Sequence, residues 1–274
     1  MGPGERSLKR LIVTADDFGA SMAVNEAVEI AWRDGILTAT SLMAGAPAAD
    51  DAVRRAKSME GLGIGLHVVV VRGQSVLSPD EIGAIVDRNG HFDRNLVRAG
   101  FRYFFCPAAR RALRAEIRAQ FEAFAATGLA LDHVNAHNHM HLHPTVLSLI
   151  LDIGRDFGLR AVRLPYDGRS ILLRPWLWLL KRRLRRAGIV HNDRLAGLAE
   201  TGSMDRHSMI AILESLPDGT TEIMTHPATG DWEGREDDAE GYRFADELAA
   251  LTDNVVVAAA DASGARRCAF TGIA

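Results

Sequence analysis

The chain has 274 residues, with 32 Lys plus Arg against 35 Asp plus Glu and a formal net charge of −3, so no overall field draws it to nucleic acid. At 47% hydrophobic and 24% charged residues, it is not a disordered, collagenous or coiled-coil protein. Its length suits one large α/β domain as well as two smaller ones. Two cysteines, Cys106 and Cys268, with no CxxC pair exclude a disulfide framework and a thiolate zinc site within one chain. The polar start MGPGERSLKR leads into only a short apolar run, and no stretch approaches ~18 uncharged apolar residues, so the expected address is the cytoplasm.

Along the chain, the apolar, β-branched run Leu11 to Ala15 predicts a strand. The polar DDFGAS follows, then a helical pattern from about Met22 to Arg33 with Ser21 as N-cap. Leu62 to Val71 is apolar nearly throughout and predicts a buried strand with His67 inside it. Leu113, Ile117, Phe121 and Phe124 lie at helical spacing within Arg110 to Thr127, and Gly128 is placed to end that helix in the left-handed region. An extended stretch at Leu131 to Ala136, a His-rich loop, and a helix from about Thr145 to Phe157 opened by Pro144 and closed by Gly158 come next. Strands are expected at Ala161 to Leu164, Glu222 to Thr225 and Val255 to Ala259, with a helix near Tyr242 to Leu251. This alternation, without a linker or repeat, predicts one α/β domain with parallel strands over 1–274, as a barrel or, alternatively, a doubly wound sheet.

Five of the ten histidines lie in DHVNAHNHMHLHP, at 133, 137, 139, 141 and 143. Asp16, Asp17, His137 and His226 fall just after predicted strands and His67 falls within one. Side chains at the carboxyl ends of parallel strands converge on one face, so these five residues can share a pocket. Two neutral imidazoles and one carboxylate form a three-ligand set with open positions, which suits a catalytic divalent metal and hydrolysis. A second carboxylate beside the metal can take a proton from water and a histidine across the pocket can protonate a leaving group, tasks for which Asp16 and His226 are placed. Adjacent acids also serve as turns or helix caps, and a histidine in an apolar strand also serves as a hydrogen-bonded core residue. Not all five clustered histidines can be ligands: the roles of His133, His139, His141 and His143 stay open, with His143 before Pro144 a candidate helix cap.

ADDFG, GLHVVVV, DHVNAHNHMHLHP and the late MTHP together resemble the YdjC-like carbohydrate deacetylase family. The resemblance implies a distorted (β/α) barrel like those of polysaccharide deacetylases and metal-dependent removal of acetyl from an N-acetylated sugar. Motif by motif, it implies Asp17, His67 and His137 as metal ligands, Asp16 as general base and His226 as general acid. Magnesium is the implied metal, while zinc suits two histidines chemically. TADDFG, DGILTATSLM, RAEIRAQFEAF and LDHVNAHNHMHLHPT are similar to the hopanoid-biosynthesis branch, which implies an N-acetylglucosaminyl hopanoid as substrate. Asn138 stands where the chitooligosaccharide members carry a third consecutive histidine.

Residues 169–186 (RSILLRPWLWLLKRRLRR) hold seven basic residues, no acids, and two tryptophans, Trp176 and Trp178. Such a segment can lie on an anionic membrane surface, pack as a helix with a solvated basic end, or form a homodimer contact. The rival readings of function are a chitooligosaccharide deacetylase, another metal-dependent amidohydrolase, and a non-enzymatic metal- or membrane-binding assembly protein.

Overall fold

The computed structural model describes residues 9–168, 172–232 and 241–273. Strands β1 (Arg10–Phe18), β2 (Ala39–Leu42), β3 (Gly63–Val68) and β4 (Val134–Ala136) alternate with helices α1 (Met22–Asp34), α2 (Ala49–Ala56), α3 (Pro79–Ile82), α4 (Leu96–Phe105) and α5 (Pro107–Ala126). The second half carries α6 (Pro144–Gly154), α7 (Arg174–Arg186), β5 (Arg194–Ala196), α8 (Arg206–Glu214), β6 (Thr220–Thr225), α9 (Phe244–Thr252), α10 (Asn254–Ala262) and β7 (Arg266–Arg267). The first three residues of the basic, Trp-rich segment lie outside the described residues.

The sheet runs β4-β3-β2-β1-β6-β5 with every pair parallel, and β7 joins β1 at Arg10 and Leu11. Beyond β4 the pairing continues: Val162 bridges Val134, Val190 bridges Ala161, and the Asn192 amide bonds both backbone groups of Leu164. Residues 190–196 thus link the far side of β4 back towards β6, and the sheet curls into a distorted α/β barrel, not an open doubly wound sheet.

Alternation along each strand divides the residues between two faces. Leu11, Val13, Ala15, Leu66, Val68 and Val134 join the main apolar cluster that includes helix residues; each buried valine or leucine contributes ~1.5–3 kcal/mol. Ile12, Ala39, Ala161 and Phe270 form a separate small cluster that plugs the barrel interior. Because the helical coat supplies most of the apolar burial, the rest of the interior is free to be polar.

Local signals in the sequence set the helix ends. Ser21 accepts a hydrogen bond from Val24 N at the start of α1, while Gly128 (φ +75°) and Gly158 (φ +73°) take the left-handed caps expected of them. One expectation fails: Val255 to Ala259 is helical, within α10, not a strand. The Asp253 carboxylate accepts from Val255 N and starts the helix, and the alanines that follow favour it over the pull of three valines towards a strand. Ala161 to Leu164 contributes isolated bridges instead of a full strand. Among the described residues, no helix is long and apolar enough to cross a membrane, and Cys106 and Cys268 are free thiols.

Gly63 and Gly65 of GLGIG serve packing, whereas Gly61 takes φ +82° with open space beside it. A Cβ on Gly65 would stand 2.5 Å from the His133 imidazole, itself stacked on Phe270 at 4.4 Å between centroids. Gly65→Ala should therefore overpack the interior and lower stability by about 1–3 kcal/mol, measured as a shift in the urea midpoint; an unchanged midpoint would show that His133 moves aside freely.

Candidate active site

The carboxyl end of β1 departs from a regular strand. Its pairing register with β2 shifts between Ala15 and Phe18, and Asp17 has φ 65°, the left-handed region that L residues avoid. In a regular strand Asp16 and Asp17 would face opposite sides; with this kink both line one cavity of about 410 Å³. Phe18 remains buried in the core, and Gly19 N donates to Asn25 Oδ1, which anchors the turn to α1.

His67 from β3 and His137, immediately after β4, meet Asp17 in a near-equilateral triangle. Asp17 Oδ1 is 3.2 Å from His67 Nε2 and 3.3 Å from His137 Nδ1, and the two ring nitrogens are 3.3 Å apart. Ligands held at ~2.0–2.1 Å from one ion lie about 3.0 Å apart at octahedral angles and about 3.4 Å apart at tetrahedral ones. The triangle fits a small divalent cation of either geometry.

Neighbouring groups fix the tautomer of His67. Asn135 Nδ2 donates to Asp16 Oδ1 at 2.9 Å, so its amide oxygen is the atom 2.7 Å from His67 Nδ1. An amide oxygen only accepts; His67 Nδ1 therefore carries the proton, and in the neutral ring Nε2 presents a lone pair to Asp17 and His137.

Asp16 is 2% exposed and accepts from Ser41 Oγ (2.8 Å), Asn135 Nδ2 and the Arg163 guanidinium, which engages both of its oxygens. Burial opposes its charge, but Arg163, followed by His67, outweighs burial and holds the carboxyl well below its usual range. Arg163 is itself fully buried, and its Nη2 and Nε also bond Glu222 Oε1 of β6 at 2.7 and 2.9 Å. Burial likewise opposes the charge of Asp17, which His137 and His67 hold well below the usual range.

His226 follows β6 and lines the same cavity, so all five residues singled out in the sequence surround one space. Its backbone N–H donates to Glu247 Oε2 at 2.6 Å; Glu247 lies buried on α9, and burial pushes its carboxyl up. The other clustered histidines disperse. His133 sits within the barrel against Phe270, its Nδ1 2.9 Å from Asp132 Oδ2. His139 lines the cavity, and burial, aided by Arg163, pushes it down to about 3. His141 is buried beneath it and pushed well down by burial. His143 occupies the N-cap position of α6 without a side-chain capping bond.

Sequence reasoning missed Arg163, Glu222, Asn135, Ser41 and Glu247. Arg163 in AVRLP and Glu222 in TTEIMT are lone charges in otherwise uncharged extended stretches, a signal that these stretches face a polar interior. It also missed an aromatic wall of Trp232, Tyr242 and Phe244, with Trp232 and Tyr242 ring centroids 4.8 and 5.5 Å from that of Phe244. A second cavity of about 280 Å³ shares Asp17, Arg72, His137 and Trp232 with the first, so the mouth is an elongated groove.

A parallel α/β barrel with a carboxylate and two imidazoles converging at its strand ends, and a further acid and histidine in the same cavity, has the architecture of a barrel hydrolase. The chain belongs to the YdjC-like protein family, whose model matches residues 10–262. It is 31% identical over 249 residues to a carbohydrate deacetylase of Geobacillus stearothermophilus, covering 90% of this chain and 91% of that one. A carbohydrate deacetylase of Thermoanaerobacter pseudethanolicus is 30% identical over 221 residues, covering 81% and 82%. A crystal structure from Enterococcus faecalis V583, described as a candidate cellobiose-phosphate cleavage protein, shares the fold at TM-score 0.81 and 23% identity, covering 98% of this chain and 100% of that one.

Arg163→Met should leave Asp16 and Glu222 buried without their cation and destabilise the protein by about 3–5 kcal/mol at pH 7. In the wild type, Asp16 titrates below its unfolded range, so its contribution is complete above about pH 4 and declines only on further acidification. In the variant, burial acts on Asp16 without its main opponent and raises it, so stability should fall as pH rises from about 4 to 7. Urea midpoints at the two ends of that range check the reversal.

Proposed function

We propose that this protein is a metal-dependent carbohydrate deacetylase that hydrolyses the acetamide of an N-acetylated amino sugar to acetate and a free amine. The observation that carries the reading is the Asp17, His67 and His137 triangle, opening into the same cavity as Asp16 and His226. The curated relatives of similar length are carbohydrate deacetylases, in keeping with it.

A divalent ion at the triangle would supply Lewis acidity for the acetyl carbonyl and lower the pKa of a water. Zinc suits the two imidazoles, and magnesium is the metal implied by resemblance. Asp16 acts as general base: Arg163, Asn135 and Ser41 fix its orientation, and the charge on the carboxylate is kept in place by Arg163. His226 acts as general acid. An amine departs from a tetrahedral centre only once protonated, and a histidine on the cavity wall can deliver that proton to the sugar nitrogen. The Glu247 bond to its backbone holds the start of this segment in place. The aromatic wall of Trp232, Tyr242 and Phe244 offers apolar faces to a pyranose ring, and the elongated groove leaves room for the group to which the sugar is attached.

We infer that this group is a lipid, with an N-acetylglucosaminyl hopanoid as the substrate. The support is the resemblance of TADDFG, DGILTATSLM and LDHVNAHNHMHLHPT to the hopanoid branch. A chitooligosaccharide is the alternative.

Product mass spectrometry separates the two: loss of one acetyl from the hopanoid supports the lipid reading, and loss only from the oligosaccharide replaces it. Asp16→Asn should lower turnover by about 10²–10⁴ while metal content stays at the wild-type level; wild-type turnover would remove Asp16 from the base role. His137→Ala should abolish binding of zinc or magnesium in titration calorimetry, and retention of either with unchanged affinity would remove the triangle as the metal site.

A further inference from the structure

Two helices beside the site expose apolar side chains that neither the core nor the cavity uses. On α4, Val97, Phe101, Phe104 and Phe105 recur at i, i+4, i+7 and i+8, which places them on one face. Phe101 and Phe105 are 63% and 67% exposed and stack at 6.0 Å between centroids. The opposite face of α4 is buried through Ala99 and Tyr103, so the helix is apolar on both sides. On α7, Leu177, Leu180 and Leu184 face inward, whereas Trp178 is 58% exposed and Leu179 also reaches solvent. Exposed apolar side chains grouped on a helix face in this way mark a binding face.

Both helices border residues 142–148, the stretch that leads away from His137. The His143 ring lies 6.4 and 6.2 Å from those of Tyr103 and Phe104 on α4. From α7, Trp176 Nε1 donates to Leu142 O at 3.0 Å and Arg183 to Ser148 Oγ at 2.8 Å. The charge on α7 indicates what covers it: the helix carries six Lys and Arg and no acid, and Arg182, Arg185 and Arg186 are exposed. Arg182 also lies over the Trp178 ring at 5.4 Å, joining cation and aromatic at one place.

We propose that α4 and α7 dock this protein on an anionic lipid bilayer. Phe101, Phe105 and Trp178 enter the boundary between headgroups and acyl chains, and Arg182, Arg185 and Arg186 meet the lipid phosphates. A two-fold contact between copies would bring the cations of α7 against themselves, which disfavours a second chain as the occupant. That docking presents the groove to a lipid-linked sugar rests on the deacetylase reading; docking itself does not.

The test is co-sedimentation of the metal-loaded protein, at low salt, with phosphatidylcholine vesicles with and without phosphatidylglycerol. Acetate release from a soluble chitooligosaccharide and light scattering are measured in parallel. The wild type should sediment with the anionic vesicles only. Arg182→Gln/Arg185→Gln/Arg186→Gln should weaken binding roughly a hundredfold and Phe101→Ser/Phe105→Ser at least roughly tenfold, with wild-type mass and wild-type acetate release in both. Indifference to anionic vesicles, equal binding to neutral ones, or a Phe variant that turns a dimer into a monomer while still binding vesicles would overturn the proposal. Absence of acetate release from the oligosaccharide in every protein would remove the chitooligosaccharide alternative, leave the lipid-linked deacetylase reading to the hopanoid assay, and leave the vesicle result to decide docking alone.

Discussion

The structure turns on a guanidinium sealed inside a barrel. Arg163 has no exposure, yet it arrives from the stretch that continues the sheet beyond β4 and reaches Asp16 on β1 and Glu222 on β6. Desolvating an arginine and two carboxylates costs several kcal/mol per ion, and mutual attraction offsets this only where hydrogen bonds are well formed. The planar fork of arginine meets that condition, since both of its faces of donors find carboxylate oxygens. Thr14 Oγ1 adds a 2.8 Å bond to the Glu222 oxygen that Arg163 uses. The same contacts that tie three parts of the barrel wall together also determine which way Asp16 points.

From Asp16 the constraint passes outward to the ligand triangle. Its oxygens select the orientation of the Asn135 amide, the amide oxygen accepts a hydrogen bond from His67 Nδ1–H, and in the neutral ring His67 Nε2 is left as a lone pair beside Asp17. Every step is a hydrogen bond with one permitted direction. The tautomer that His67 takes when neutral therefore follows from an ion pair in the interior, as metal-ligating histidines generally depend on what their other nitrogen contacts.

What was legible in the sequence was whatever is encoded locally. The strand before ADDFG, the Ser21 cap, the left-handed Gly128 and Gly158 and the gathering of Asp16, Asp17, His67, His137 and His226 follow from periodicity, cap chemistry and the rule that parallel strands deliver side chains to one end. Arg163 and Glu222 were visible only as odd charges in otherwise uncharged runs, because their meaning is a pairing across 59 residues. The histidine run misleads for a related reason. Asn138 and His139 both take left-handed backbone conformations, so the chain turns sharply after His137, and neighbours in sequence end in the cavity, beneath it, or at the cap of α6. Val255 to Ala259 misleads in the opposite way, since three valines suggest a strand until Asp253 is recognised as a cap.

Asp16 and Asp17 show how one local distortion separates two roles. A left-handed non-glycine residue costs of order 1–2 kcal/mol, and here that strain turns a second carboxylate into the space the first already faces. Their surroundings then differ in kind. Asp16 is held by a guanidinium, an amide and a hydroxyl, with three of the four bonds on Oδ1 and one on Oδ2, whereas Asp17 Oδ1 faces two imidazole nitrogens. A proton on the facing imidazole nitrogens holds the Asp17 charge, and where His67 is neutral, Asp17 Oδ1 and His67 Nε2 are two lone-pair atoms 3.2 Å apart that call for a positive charge between them. A proton on His137 Nδ1, 3.3 Å from both, answers that need in part, and a divalent cation answers it fully. Rigid neighbours hold the three atoms at cation-binding separation in advance, so the strain at Asp17 and the ion pair at Arg163 belong to one device: a preformed negative corner at the mouth of a barrel whose interior holds one guanidinium between two carboxylates.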